Sequence, residues 1–444
     1  MSSILTNNGA MVALQALKSI NANLQKTQNI ISTGKDIASA KDNAAIWAIS
    51  KVMEADVKGF KGIADSLGLG ESTVAVARQA SETVTDLLIQ MKEKIVASQE
   101  ENVDRAKIQT DIQELQNQIG SVVSAAQFNG LNLLDTNNLK TGFGTVDILS
   151  SLDRSTSGVA ASSISVTKQD LRVEEAAVTG TAVTTAQTAT AINSGMTGTA
   201  LAATALTGAA TAPTTTLTIA QVETGHGYSL AITGAAGELV SADNPFNTSS
   251  ANDIVYVAKE GDTVTDVAAG LVAAFNEWAA DFRGENPDAT GVSTIGAANV
   301  AGVITFTGAN ETGTNFSVQA SGYAAKTAGG DQANTMGGGL ADLADMNVTS
   351  EYGAEKALGQ IEAMLQVSID AAAVFGSAQK RIETQSDFVG VLMDSLKSGI
   401  GTLVDANMEE ASARLQALQV QQQLGVQSLS IANQAPQSIL SLFR

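Results

Sequence analysis

Apolar residues recur three and four positions apart through both ends of the chain. Near the N-terminus the series is Ala10, Ala13, Leu17, Ile20, Leu24, Thr27 and Ile31, with Leu14 counted among the same helix-core residues. A second series runs Val74, Ala77, Ser81, Val84, Leu88, Met91 and Ile95. A third, after the polar stretch Ser98 to Asn102, runs Ile108, Ile112, Leu115, Ile119, Val122 and Ala126, and a turn at Phe128-Asn129-Gly130 closes it. The C-terminal part is longer: one rhythm extends from Leu358 to Leu403, and a last run carries Met408, Ala411, Leu415, Leu418, Leu429 and Ala432 up to Pro436. This period predicts amphipathic helices, each with a narrow seam that has to meet another helix. Unbroken from Glu355 to Gln434, such a helix would reach about 120 Å at 1.5 Å per residue. Neither arm buries its seam alone, so the two arms are expected to pack on each other and bring the chain ends together.

The middle has a different texture. Residues 176–344 are dense in Ala, Thr, Gly and Ser, and they hold Pro213, Pro245 and Pro287, three of the four prolines. A proline inside a helix costs about 3 kcal/mol, so the proline-free arms permit long helices and the middle does not. Short β-type runs stand at Thr215–Ile219, Tyr228–Ile232, Asp253–Ala258, Val303–Thr307 and Asn315–Gln319. Thr263–Trp278 reads as one amphipathic helix, with Val264, Val267, Leu271, Phe275 and Trp278 on a face and Asp262 or Thr263 as cap. Gly329–Gly330 and Gly337–Gly339 mark loops. The expected class is mostly α: a long antiparallel helical coiled-coil core built from both termini, with an inserted β-rich α+β outer module.

Charge and chemistry then narrow the function. The chain of 444 residues sets 25 Lys and Arg against 45 Asp and Glu, a net charge of -20. Such a chain lacks a basic face for phosphates, so nucleic acid is not an expected partner, and its charge keeps free subunits apart. Cysteine is absent, which excludes disulfides and thiolate chemistry. MSSILTNNGAMVALQALKSI has no basic segment followed by an apolar one, so no secretory signal peptide is expected. No run of about eighteen uninterrupted apolar residues predicts membrane insertion. The lone histidine, His226 in ETGHGYS, is expected in a solvent-exposed loop, with Glu223 its one candidate companion. Glu174–Glu175 and Glu409–Glu410 read as solvated surface, because sequence neighbours do not converge on one site. No phosphate loop or calcium loop is present, so no enzyme, cofactor or metal is expected.

Between the first two helical series lies ISTGKDIASAKDNAAIWAIS, Ile31 to Ser50. It resembles the N-terminal signature of flagellins at Ser32, Gly34, Ser39, Ala40, Lys41, Asp42, Ala44, Ala45, Ala48 and Ile49. Asn43, Ile46 and Trp47 depart from its commonest form. AAQFNGLNLL, Ala125 to Leu134, and the ending IANQAPQSILSLFR resemble two further flagellin segments. The resemblance implies an inner core domain of residues 1–43 with 398–444, a helical rod with a β-hairpin over 44–175 with 345–397, and a variable outer domain over 176–344. It implies core and self-assembly helices carrying Ala10, Leu14, Leu17, Leu24, Ile31, Leu403, Leu415, Leu418 and Leu429. A spoke of Gly34, Ser39, Lys41, Asp42 and Trp47 would join core to rod, Gly34 allowing a turn and Asp36 or Ser39 capping. A rod interface would use Gln90, Lys92, Glu93, Ile112, Leu115, Phe128 and Asn129.

The same resemblance implies a secreted, extracellular subunit of the bacterial flagellum. It implies type III export with a chaperone, contact with filament-cap and hook-junction proteins, and polymerisation into a helical tube for swimming. LIQMKEKIVA, Leu88 to Ala97, departs from the arginine-containing stretch that an animal innate immune receptor reads in many flagellins, so weak activation is expected. The terminal helices are expected to be frayed in the free subunit and ordered by neighbours on assembly. The alternatives are a hook–filament junction protein, which shares such termini, and a filament subunit whose outer module is an adhesin.

Overall fold

The computed structural model describes residues 7–137, 144–155, 158–179, 191–193, 204–206, 212, 214–234, 254–285, 292–310, 316–325 and 334–442. The readings made at Pro213, Pro245, Pro287, Asp253, Asn315 and Gly329–Gly330 lie outside them. Three helices come first: α1 (Asn8–Thr33), α2 (Ala44–Ser98) and α3 (Arg105–Ala125). The short pair β1 (Gln127–Phe128) and β2 (Leu131–Asn132) and the longer pair β3 (Thr145–Ser155) and β4 (Gly158–Thr167) follow. The middle holds β5 (Ala177–Val178), β6 (Ala191–Asn193), β7 (Thr204–Leu206), β8 (Thr214–Gln221), β9 (Gly227–Gly234), β10 (Ile254–Val257), α4 (Val264–Glu285), β11 (Gly296–Val300), β12 (Val303–Thr307), β13 (Phe316–Tyr323) and β14 (Asn334–Thr335). Two long helices end the chain, α5 (Glu351–Val404) and α6 (Met408–Leu442).

The chain divides into two compact units. One comprises Met1–Gly68, Leu149–Ser162 and Thr384–Arg444. In it α1 and α6 run antiparallel, as the contacts Asn7–Ala432 and Asn21–Gln422 show. One long C-terminal helix is not what forms: the structure has two, broken at Asp405–Asn407. Asn407 is the cause. Its Oδ1 accepts from the Glu409 and Glu410 amides at 3.1 and 3.3 Å, so it caps a new helix rather than extending the old one.

The other unit comprises Leu69–Ile148 and Ser163–Glu383. Every member of the series Val74, Ala77, Ser81, Val84, Leu88, Met91 and Ile95 is buried, because α2 meets α5 there. Arg78 Nε donates to Gln379 Oε1, the Thr85 and Ser368 hydroxyls bond at 2.7 Å, and Lys92 pairs with Glu362. α3 adds Ile112, Ile119 and Val123 to the buried set, and its Gln109 clamps the 346–348 backbone at 2.9 and 2.8 Å. By length and composition α5 is apolar enough to cross a membrane. Its Ile361, Phe375 and Ile382 are buried in the packed bundle, while Val367, Ile369 and Val374 are exposed.

The middle forms two four-stranded sheets, ordered β10-β9-β13-β7 and β11-β12-β8-β6. Their shared core gathers Tyr228, Leu230, Ile304 and Phe306 around Val267, Leu271, Phe275 and Trp278 of α4. Phe275 meets Phe306 edge-on at 4.9 Å between centroids, a favoured aromatic geometry. The cap of α4 is Thr263, whose amide and hydroxyl both bond Asp266 Oδ2 in a reciprocal box. Asp262 instead accepts from Tyr256 Oη and the Lys259 amide.

His226 departs from expectation. It is buried, not in a solvent-exposed loop, because Gly225 N bonds Ala258 O and the Ala258 amide bonds His226 O, folding the turn inward. Its Nε2 lies 3.4 Å from Glu223, and burial holds the imidazole below its usual pKa. Further on, Gly338 marks a close backbone approach: a Cβ there would overlap the Arg172 carbonyl. That approach pairs 172–174 with 338–340 and closes over the buried Arg172 guanidinium, which is held by Asp170, Asp135 and Glu174.

Glu175 is exposed, but partial desolvation and then neighbouring Asp345 raise its carboxyl above the usual value. A carboxyl whose folded pKa is raised contributes stability that is present below the unfolded pKa and lost as pH rises through the folded one. Glu175→Gln is therefore expected to raise the melting temperature at pH 7 and to leave it unchanged below about pH 4. Equal shifts at both pH values would contradict this assignment of the strain.

Candidate assembly site

The seam between α1 and α6 is made of small and aliphatic residues. Ala10, Leu17, Leu24 and Ile31 are half-buried on α1, with Thr27 fully buried. On α6, Leu418 is buried, Leu415 and Leu429 are half-buried, and Gly425 makes room for Leu17 and Ile20. A Cβ at Gly425 would stand 3.2 Å from Leu17 Cδ1, so glycine sets how close the helices come. Leu14 is 59% exposed and Leu403 39% exposed; neither belongs to the seam. At the foot of α5 it is Val404, one residue on, that is buried, because the backbone there turns out of the helix.

That turn is matched on the other strand. α1 ends at Gly34, whose positive φ of 71° is the left-handed geometry that glycine adopts without steric cost. The Asp36 amide donates to Val404 O at 2.8 Å and the Ala406 amide donates to Gly34 O at 3.0 Å, so the backbones of Lys35 and Asp405 pair as an isolated antiparallel β-bridge. Two helix breaks, far apart in sequence, thus satisfy each other's backbone. Beyond them Ser39 N and Oγ both donate to Asp42 Oδ2 at 3.0 Å, and these bonds hold the Asp42 carboxyl below its usual pKa. Neither Asp36 nor Ser39 caps α2. Asn43 does, its Oδ1 accepting from the Ala45 and Ile46 amides. Lys41 is exposed, and Trp47, in the first turn of α2, is half-exposed.

The residues expected at a rod interface separate into two kinds. Gln90, Glu93 and Asn129 are exposed, while Leu115 and Phe128 are half-buried. Ile112 is fully buried inside its own bundle, while Lys92, with its side chain 37% exposed, pairs with Glu362 of α5 at the surface. Asn129 and Gly130 have positive φ of 51° and 81°, the turn expected of Asn-Gly.

Outside the seam, the same helices carry a second apolar population. Met11, Val12 and Leu14 on α1 are 59–67% exposed, and Val420, Leu424, Val426 and Ile431 on α6 are 54–69% exposed. Val420, Leu424 and Ile431 fall on one helical stripe. Ile49, Val52, Phe388 and Val391 are exposed on α2 and α5 of the same unit. A row of this extent, facing away from its own partner helix, is the mark of an interaction surface.

A family model described as the bacterial flagellin N-terminal helical region matches residues 4–139, and one described as the bacterial flagellin C-terminal helical region matches 358–443. Flagellin A of Rhizobium meliloti is 34% identical over 455 residues, covering 100% of both chains. The chain belongs to the flagellin family. Flagellin FljM of Caulobacter vibrioides is 28% identical, covering 100% of this chain and 99% of that one. Among solved structures, FliC from Burkholderia pseudomallei aligns with 70% of this chain at 12% identity and a TM-score of 0.30. The flagellar junction protein FlgL from Legionella pneumophila aligns with 75% at 13% identity and a TM-score of 0.30.

Sequence reasoning missed the polar residues of this flagellin's terminal pair. Asn7 caps α1 and reaches Ala432, and Asn21 accepts from Gln422 at 2.7 Å. Asn7, in TNNGAM just before the helix, carried the usual N-cap signal. A Cβ on Gly9 would lie 3.9 Å from that of Ala432, within disulfide range. In a chain with no cysteine, Gly9→Cys with Ala432→Cys is expected to form an intramolecular crosslink on oxidation, seen as a gel shift reversed by reductant. Absence of that crosslink would contradict the α1–α6 register.

Proposed function

We propose that this chain is the structural subunit of a bacterial flagellar filament, which polymerises through its terminal helices into a helical tube that serves swimming. The observation that carries this is the exposed apolar row on α1 and α6, on helices that already pack on each other. An intramolecular partner is already in place, so the outer row is left for other copies to cover. A head-to-tail interface of this kind does not close on itself and makes a fibre. Burying each large aliphatic side chain contributes roughly 1.5–3 kcal/mol, which several residues together turn into a stable polymer. The acidic surface opposes the same contacts while subunits are dilute.

The finer reading extends this. Residues 1–43 with 398–444 act as the inner core, 44–175 with 345–397 as the rod, and 176–344 as the outer domain. Gly34 to Asn43 is the spoke between core and rod, with the backbone bonds of Gly34 and Asp36 to Ala406 and Val404 tying it to the other helix break. Subunits leave the cell through the flagellar export apparatus with a chaperone, and they meet cap and junction proteins at the filament ends. The departures at Gln90 and Lys94 weaken recognition by the innate immune receptor. The role is structural and uses no cofactor.

Replacing Val420, Leu424 and Ile431 together with serine leaves the seam residues in place and removes the outer stripe. Purified variant subunits are expected to keep the G9C/A432C crosslink and to lose sedimentable polymer. Filaments forming at the unaltered critical concentration would overturn the proposed surface.

A further inference from the structure

One hydrogen bond in the terminal pair answers a defect in α6. The helix runs through Pro436. In an α-helix each carbonyl accepts the N–H four residues on, and proline has none. The carbonyl deprived by Pro436 is that of Ala432. This is the carbonyl that Asn7 Nδ2 reaches, at 2.8 Å. The other end of the same amide, Oδ1, accepts from Ala10 N at 3.0 Å and caps α1. Both partners agree on which way the amide points, since one end faces a donor and the other an acceptor.

We propose that Asn7 is the positioning residue that sets the register of α1 on α6, by giving Ala432 the hydrogen bond that Pro436 withholds. The seam itself specifies register weakly. Ala411, Gly425 and Ala432 are small and lie on one heptad row of α6, so the packing against them repeats along the seam. Polar pairs in an apolar seam are what fix register in paired helices. Over the body of α6 every other carbonyl has an N–H four residues on, because the sequence has no other proline after Pro287. A slipped α1 therefore presents the Asn7 amide to a carbonyl already engaged and leaves Ala432 without a donor. Gln422, on Asn21 at 2.7 Å, holds the same register further along. Proline near the end of α6 is thus a key with one matching residue, not only a helix stop.

The test reads register directly and rests on the assembly reading only where filaments are used. Oxidative crosslinking rates are compared for G9C/A432C, the native register, and G9C/S428C, one turn away. Asn7→Ser keeps a capping hydroxyl but loses the reach of the amide, and Asn7→Asp keeps the cap without a donor. Each is expected to lower the native-to-slipped rate ratio about tenfold, the effect of leaving a carbonyl without its partner. In a Pro436→Ala background, which restores the N–H, the same substitutions are expected to change the ratio less than about twofold. An unchanged ratio in the Pro436 chain, or an equal loss in both backgrounds, would overturn the proposal. Failure of the wild-type chain to form filaments would count against the assembly reading instead and leave the crosslink ratio untouched.

Discussion

The structure depends on one contact, the antiparallel seam of α1 against α6. It is narrow, set by Gly425 beneath Leu17 and Ile20, with Thr27 buried on α1. A narrow seam buries one face of each helix and leaves the rest of both surfaces outside. That geometry explains why Leu14, Val420, Leu424 and Ile431 are exposed on the two paired helices. The apolar surface is the consequence of pairing two helices with no third.

The breaks at Gly34 and Asp405–Asn407 follow the same logic. Each leaves helix-end groups without partners, and each satisfies the other's through Asp36, Val404, Ala406 and Gly34. Backbone groups that leave a helix have to be paired elsewhere or solvated. Placing both breaks side by side pairs them without a sheet or a bound partner. Asn43 and Asn407 then restart the two outgoing helices by capping.

Much of this was legible in the sequence, for stated reasons. The spacing of Val74 to Ile95 and of Val264 to Trp278 gave the buried faces of α2 and α4, because a single face of each meets a core. The strands around Tyr228, Ile254 and Val303 were visible as β-branched and aromatic runs between turn residues. The long pair β3 and β4 came only through the family resemblance, since its Ser, Thr and Asp residues hide the alternation. The break before Met408 falls in the pause between the runs ending at Leu403 and starting at Met408, where Asn407 followed by Glu410 is a capping signal; two apolar runs so close together read as one helix. His226 looked exposed because its neighbours are polar, yet Gly225 and Ala258 hydrogen bonds turn it inward. Asn7 escaped because its second role belongs to a proline more than four hundred residues away, a relation no local pattern carries.

The central claim is that the outer faces of α1 and α6 are completed by other copies of the chain. Amide hydrogen exchange on free subunits and on sheared filaments tests it most directly. The account predicts that amides of α1 and α6, paired on one face only, exchange faster than the rest of the free subunit and slow strongly in the filament, while those of the α2–α3–α5 bundle around Leu88, Ile119 and Phe375 are protected in both. Equal protection of α1 and α6 before and after assembly would contradict it.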